Sequence, residues 1–75
     1  MQQGGKIMPG ILTKREKEIF DLLIHHYTTK AIAQKLGISE KTVRNHVSNV
    51  IQKLGVTSRI QAVLELVKLK ELEID

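Results

Sequence analysis

Between Glu40 and Glu65 the chain carries no acidic residue, and the gap holds Lys41, Thr42, Arg44, Asn45, Ser48, Asn49 and Gln52. Hydroxyls, amides and cations in that pattern suit hydrogen bonding to base-pair edges. A guanidinium fork matches guanine O6 and N7, and an Asn amide matches adenine N6 and N7. An ordinary solvated helix face mixes Glu with Lys at i,i+4 spacing. A second group, Thr28–Thr29–Lys30, places hydroxyls and a cation at the start of a short helix, which suits a phosphate. Lys53 and Arg59 are two further cations expected to clamp phosphates.

Other chemistries find less support. Asp21, His25 and His26 form the one cluster worth testing as a metal or catalytic set. Asp21 and His25 share a helix face, but His26 points about 100° away and no third ligand is visible. The chain has no cysteine, which removes disulfides, thiolate zinc sites and thiol catalysis. It shows no Ser/His/Asp ordering, no paired carboxylates and no Gly-rich phosphate loop. No enzyme activity, cofactor, metal or small-molecule ligand is therefore expected.

Charge distribution agrees with a polyanionic partner. Residues 13–59 carry nine Lys or Arg against four acids, whereas residues 60–75 carry two Lys against four acids. The basic excess thus lies where the candidate contacts lie, as a phosphate-binding surface requires. Phe20 and Tyr27 are the only aromatic residues. Readers of single strands and RNA stack bases on rings, so double-stranded DNA is the better partner. No apolar run approaches the roughly 18 residues of a membrane span, and no leader pattern opens the chain. A cytoplasmic, nucleoid-associated protein with no membrane partner is expected.

The elements that must position these groups are four helices. Residues 1–10, with Gly4, Gly5, Pro9 and Gly10, read as a flexible arm, and the folded domain is expected over 11–75. Thr13 with Glu16 forms a capping box opening helix one, which directs Ile19, Phe20, Leu22 and Leu23 inward and ends near His25–His26. Thr28 caps helix two, whose inner face is Ala31, Ile32 and Leu36; Gly37 ends it. Ser39 caps helix three, where Val43, Val47, Val50, Ile51 and Leu54 fall at i, i+4, i+7, i+8 and i+11, one helical stripe. Gly55 ends that helix, and Ser58 with Gln61 opens helix four as a second capping box. Helices two and three with the turn Gly37–Ile38–Ser39 have the spacing of a helix-turn-helix, which lays its second helix in the major groove.

Several runs together resemble the LuxR-type helix-turn-helix family. They are Leu12–Thr13–Lys14–Arg15–Glu16–Lys17–Glu18–Ile19, Thr28–Thr29–Lys30–Ala31–Ile32–Ala33, Ile38–Ser39–Glu40–Lys41–Thr42–Val43–Arg44–Asn45–His46 and Lys53–Leu54–Gly55–Val56. The resemblance covers residues 11–72. Within the family it is most similar to a free-standing regulator of spore-forming bacteria, through Glu40–His46, Gln61–Ala62–Val63 and Glu71–Leu72–Glu73. It implies a four-helix, all-α domain that regulates transcription as a dimer, with RNA polymerase a candidate partner. It also implies that Arg44, Asn45 and Ser48 face bases, with Thr42, His46, Lys30 and Lys53 near the backbone. Thr28, Thr29, Lys41 and Arg59 complete the expected backbone set. The family often has Gly where His26 stands, so the turn before helix two is expected to differ in shape.

Pairing has support from the residues themselves. The apolar set of helix four is too broad for one core-facing stripe, leaving a surplus face expected at Ala62, Val63, Leu66 and Leu69. Two paired recognition helices would meet half-sites roughly 10 bp apart with dyad symmetry. Many members of the family carry a receiver or ligand-binding domain ahead of this module, so an output-domain fragment of a response or quorum-sensing regulator is the alternative. A protein-interaction helix-turn-helix without DNA binding and a sigma-factor-like promoter reader are the other rivals.

Overall fold

The computed structural model describes residues 11–73, which form four helices: α1 (Lys14–Ile24), α2 (Thr29–Leu36), α3 (Glu40–Leu54) and α4 (Arg59–Lys68). No strand occurs among the described residues, in keeping with the all-α expectation. The arm expected over residues 1–10 lies outside the described residues.

Each helix begins where cap chemistry places it. Thr13, Thr28, Ser39 and Ser58 are extended, and their hydroxyls accept the N–H groups of Glu16, Ala31, Thr42 and Gln61. The α1 box closes fully, because the Thr13 N–H also donates to Glu16 Oε1 at 2.9 Å. The box expected at α4 is displaced by one residue. Gln61 Oε1 accepts from the N–H and hydroxyl of Thr57, at 2.9 and 2.7 Å, rather than from the Ser58 N–H.

Every helix ends through a residue with positive φ: His26 (70°), Gly37 (70°), Gly55 (70°) and Lys70 (62°). After each, the next N–H reaches a carbonyl five residues back. Tyr27 donates to Leu22 at 3.1 Å, Ile38 to Ala33 at 3.0 Å, Val56 to Ile51 at 3.2 Å and Glu71 to Leu66 at 2.8 Å. These are Schellman turns, which satisfy carbonyls the helix leaves open. A Cβ on Gly37 would meet no atom within 4 Å, so the dihedral and not crowding favours glycine there. His26 makes the same turn as Gly37, contrary to the expectation of a different shape, and does so at the conformational cost of a side chain in the left-handed region.

The core comprises Ile19 and Phe20 from α1, Ile32 and Ala33 from α2, Val43, Val47 and Val50 from α3, and Ala62 and Leu66 from α4, with Leu72 beyond it. Helix α3 packs against all three others, so its valine stripe is the axis of the domain. Two residues expected at a dimer surface are corrected here: Ala62 and Leu66 are wholly buried within the chain itself. They lie one turn apart and face the core. Ile60 and Leu64 sit two residues from them, about 200° around the helix, and are 72% and 61% exposed. Both pairs are apolar, so periodicity alone could not say which faced inward. Leu72 has no place among the core residues expected from the sequence; the left-handed turn at Lys70 folds it back into the core.

Candidate nucleic-acid interface

The turn Gly37–Ser39 sets α2 and α3 so that their N-terminal ends lie side by side. Thr29, the first residue of α2, donates from its hydroxyl to Glu40 Oε2, on the first residue of α3, at 3.2 Å. Ile38 within the turn packs against the core and fixes the angle between the helices.

The outer face of α3 then follows from its inner one. With Val43, Val47 and Val50 buried, Lys41, Arg44, Asn45, Ser48, Asn49 and Gln52 are all exposed. Arg44, Asn45 and Ser48, the expected base readers, therefore share one accessible surface on the N-terminal two-thirds of the helix. Thr42 and His46 are half-buried beside it. The Thr42 hydroxyl lies 2.9 Å from Ser39 Oγ, so it belongs to the helix cap as well as to the surface.

Of the other expected phosphate contacts, Thr28 caps α2 through Ala31 N–H at 3.0 Å, and Thr29 holds Glu40. Lys30, Lys41 and Arg59 are exposed, and among the described residues no ion pair holds them. Lys30 lies at the opening of α2 and Lys41 at the opening of α3, so both cations flank the paired helix starts. Arg44 forms a single ion-pair contact to Glu40 Oε2 at 3.5 Å, with both side chains well exposed.

A four-helix domain with this helix-turn-helix matches the family model for bacterial regulatory proteins of the luxR family over residues 10–66. The chain belongs to the luxR family. It is 62% identical to the spore germination protein GerE of Bacillus subtilis (strain 168) over 64 residues, which is 85% of this chain and 86% of that protein. A solved structure of the transcription factor GerE superposes with a TM-score of 0.87 at 61% identity, covering 89% of this chain and all of that one. The transcriptional regulatory protein DegU of Brevibacillus brevis is 52% identical over 58 residues, but this chain spans only 25% of its length. This is therefore a GerE-like, luxR-family regulator.

Lys53, one of the expected phosphate contacts, also has partners within this luxR-family domain. Its ammonium is 2.7 Å from Glu16 Oε1 and 3.0 Å from the Ile11 carbonyl, which it joins across the end of α3. Glu16 is 4% exposed, and the same oxygen accepts the Thr13 N–H. Burial alone would raise the Glu16 carboxyl pKa. The hydrogen bonds from Lys53 and Thr13 and the Lys53 charge outweigh it and hold the group below its ordinary value of 4.5. Two of the three Lys53 protons are thus engaged inside the domain. Cap chemistry made Glu16 legible, but nothing local in the sequence signals its partner.

A second surface lies away from α3. Leu23, Ile24 and Tyr27 at the end of α1 and Ile60, Val63 and Leu64 of α4 line an apolar groove, with His26 and Arg59 beside them. Ile60, Leu64, Tyr27 and Leu69 are the exposed large hydrophobics among the described residues. At the Asp21–His25 pair, His25 Nδ1 donates to the Asp21 carbonyl at 2.7 Å, and the Asp21 carboxylate pairs with Lys17 at 3.5 Å. Among the described residues no three His, Cys, Asp or Glu side chains are grouped to hold a metal. No helix there is long and apolar enough to cross a membrane.

Proposed function

We propose that the chain is a sequence-specific, double-stranded-DNA-binding transcription regulator that lays α3 in the major groove. The observation that carries this is the exposed face of α3, free of acidic residues after Glu40 and anchored by the valine stripe in a luxR-family helix-turn-helix. Arg44, Asn45 and Ser48 read base edges from it. Thr28, Thr29, Lys30, Lys41, Thr42, His46 and Arg59 contact the sugar–phosphate backbone and set the register. Lys53 acts chiefly as the partner of Glu16.

Two copies pair through the exposed face of α4, with Ile60 and Leu64 replacing Ala62 and Leu66 as its centre and Val63 and Leu69 at its edge. Exposed aliphatics that cluster on one helix support this, because water-facing apolar patches mark association surfaces. A two-fold pair reads a dyad-symmetric site with half-sites roughly 10 bp apart. Identity of 62% to a spore germination protein over most of both chains supports a role in sporulation. The match to a quarter of the DegU length favours a second reading, an output domain within a longer response regulator.

Selection of bound sites from random duplexes tests the proposal. A dyad-symmetric consensus is expected, and the Arg44→Ala, Asn45→Ala double variant should lose preference for it. Retained preference in that variant would exclude α3 as the reading helix.

A further inference from the structure

We propose that Glu40 is a positioning residue for Arg44, one that raises discrimination between cognate and non-cognate duplexes although it bears the wrong charge to bind DNA. The inference rests on the reading of Arg44 as a base reader. It starts from an anomaly: one carboxylate stands within an otherwise acid-free surface, at the point where α2 and α3 begin.

That carboxylate is tethered from both helices. Its Oε2 accepts the Thr29 hydroxyl from α2 at 3.2 Å and pairs with Arg44 Nη1, one turn along α3, at 3.5 Å. Thr29 fixes the carboxylate in place, so the guanidinium is drawn toward a stationary point instead of the two side chains wandering together. A guanidinium has five donors in a rigid plane. Spending Nη1 on Glu40 leaves the Nε and Nη2 hydrogens for a bidentate acceptor such as guanine.

Discrimination follows from what each binding mode does to the pair. Over a guanine, Arg44 can keep Glu40 on one edge while the other edge reads the base. On a non-cognate duplex Arg44 gains most by turning to a phosphate, and Glu40 is then left beside the polyanion without its partner. Repulsion of that unpaired charge weakens the non-cognate complex more than the cognate one.

The test uses the full chain, its selected cognate duplex and a scrambled duplex of the same composition. For each variant the ratio of the two dissociation constants is measured. Glu40→Gln keeps the length and an acceptor for Thr29 but removes the charge. It should lower the ratio by about fivefold, the upper range for an exposed ion pair, mainly by tightening the scrambled complex. Thr29→Val, which keeps the charge of Glu40 but frees it from α2, should weaken both complexes and lower the ratio by less than Glu40→Gln does. In a double-mutant cycle, Glu40→Gln added to Arg44→Ala should lower the ratio no further.

An unchanged ratio in Glu40→Gln, with Arg44→Ala still lowering it, would overturn this inference alone. Additive losses in the cycle would overturn it too, since Glu40 would then act other than through Arg44. If Arg44→Ala itself leaves the ratio unchanged, both the base-reading assignment and the inference fall.

Discussion

Glu16 and Lys53, 37 residues apart in the chain, meet at 2.7 Å across the domain. The contact joins the first turn of α1 to the last turn of α3, the helix that carries the exposed polar face. Lys53 also takes the Ile11 carbonyl, so a single ammonium fastens the segment before α1 to the end of α3. A buried carboxylate needs such a partner, because an unpaired charge at 4% exposure is costly. The capping box and the ion pair share one oxygen, which ties local helix initiation to tertiary packing.

Replacing Glu16 with Gln should therefore destabilise the domain by about 2 kcal/mol at neutral pH, the scale of a hydrogen bond to a charged group. Thermal unfolding followed by circular dichroism measures it. The folded domain lowers the Glu16 pKa below 4.5, so its contribution is complete above that value and is lost as pH falls through the folded value. The parent chain should lose stability on acidification below pH 4.5 more steeply than Glu16→Gln does. Parallel pH profiles would show that the pair contributes nothing to folding.

Lys53→Met and Lys30→Ala should part company. Lys53→Met should lower the unfolding temperature and leave the salt dependence of duplex binding nearly unchanged. Lys30→Ala should leave stability within about 0.5 kcal/mol and reduce the salt slope by about 1, weakening all duplexes alike. A slope reduction in Lys53→Met as large as that in Lys30→Ala would return Lys53 to the phosphate set.

Leu66→Glu and Leu64→Glu should fail in different ways. A charge at the fully buried Leu66 should unfold the domain. Leu64 is 61% exposed, so Leu64→Glu should fold normally, sediment as a monomer and bind the symmetric duplex weakly. Unimpaired pairing in Leu64→Glu would move the dimer surface off this face of α4.

His26→Gly should stabilise the domain by about 0.5–1 kcal/mol, since relief of left-handed strain exceeds the added freedom of the unfolded chain. For a domain of this size that is roughly 3–6 °C in unfolding temperature. A lower unfolding temperature would mean that the His26 side chain makes a contact worth more than the strain.

The four helices were legible because each is punctuated locally. Thr13, Thr28, Ser39 and Ser58 are cap residues, Gly37 and Gly55 end helices, and the α3 stripe repeats at helical period. Those are near-neighbour effects, which a linear reading can resolve. The exposed face of α3 was legible for the same reason: once Val43, Val47 and Val50 are inward, Arg44, Asn45 and Ser48 must be outward. By itself, then, the sequence determined the elements, the helix-turn-helix and which side of α3 meets solvent. Tertiary structure alone decided three things. It buried Ala62 and Leu66 and left Ile60 and Leu64 exposed, a choice between two apolar pairs that only the position of α3 resolves. It brought Leu72 into the core through a left-handed residue with no glycine to announce it. And it committed Lys53 to Glu16, because a cation's partner depends on which charge the fold brings within 3 Å, and separation along the chain carries no record of that distance.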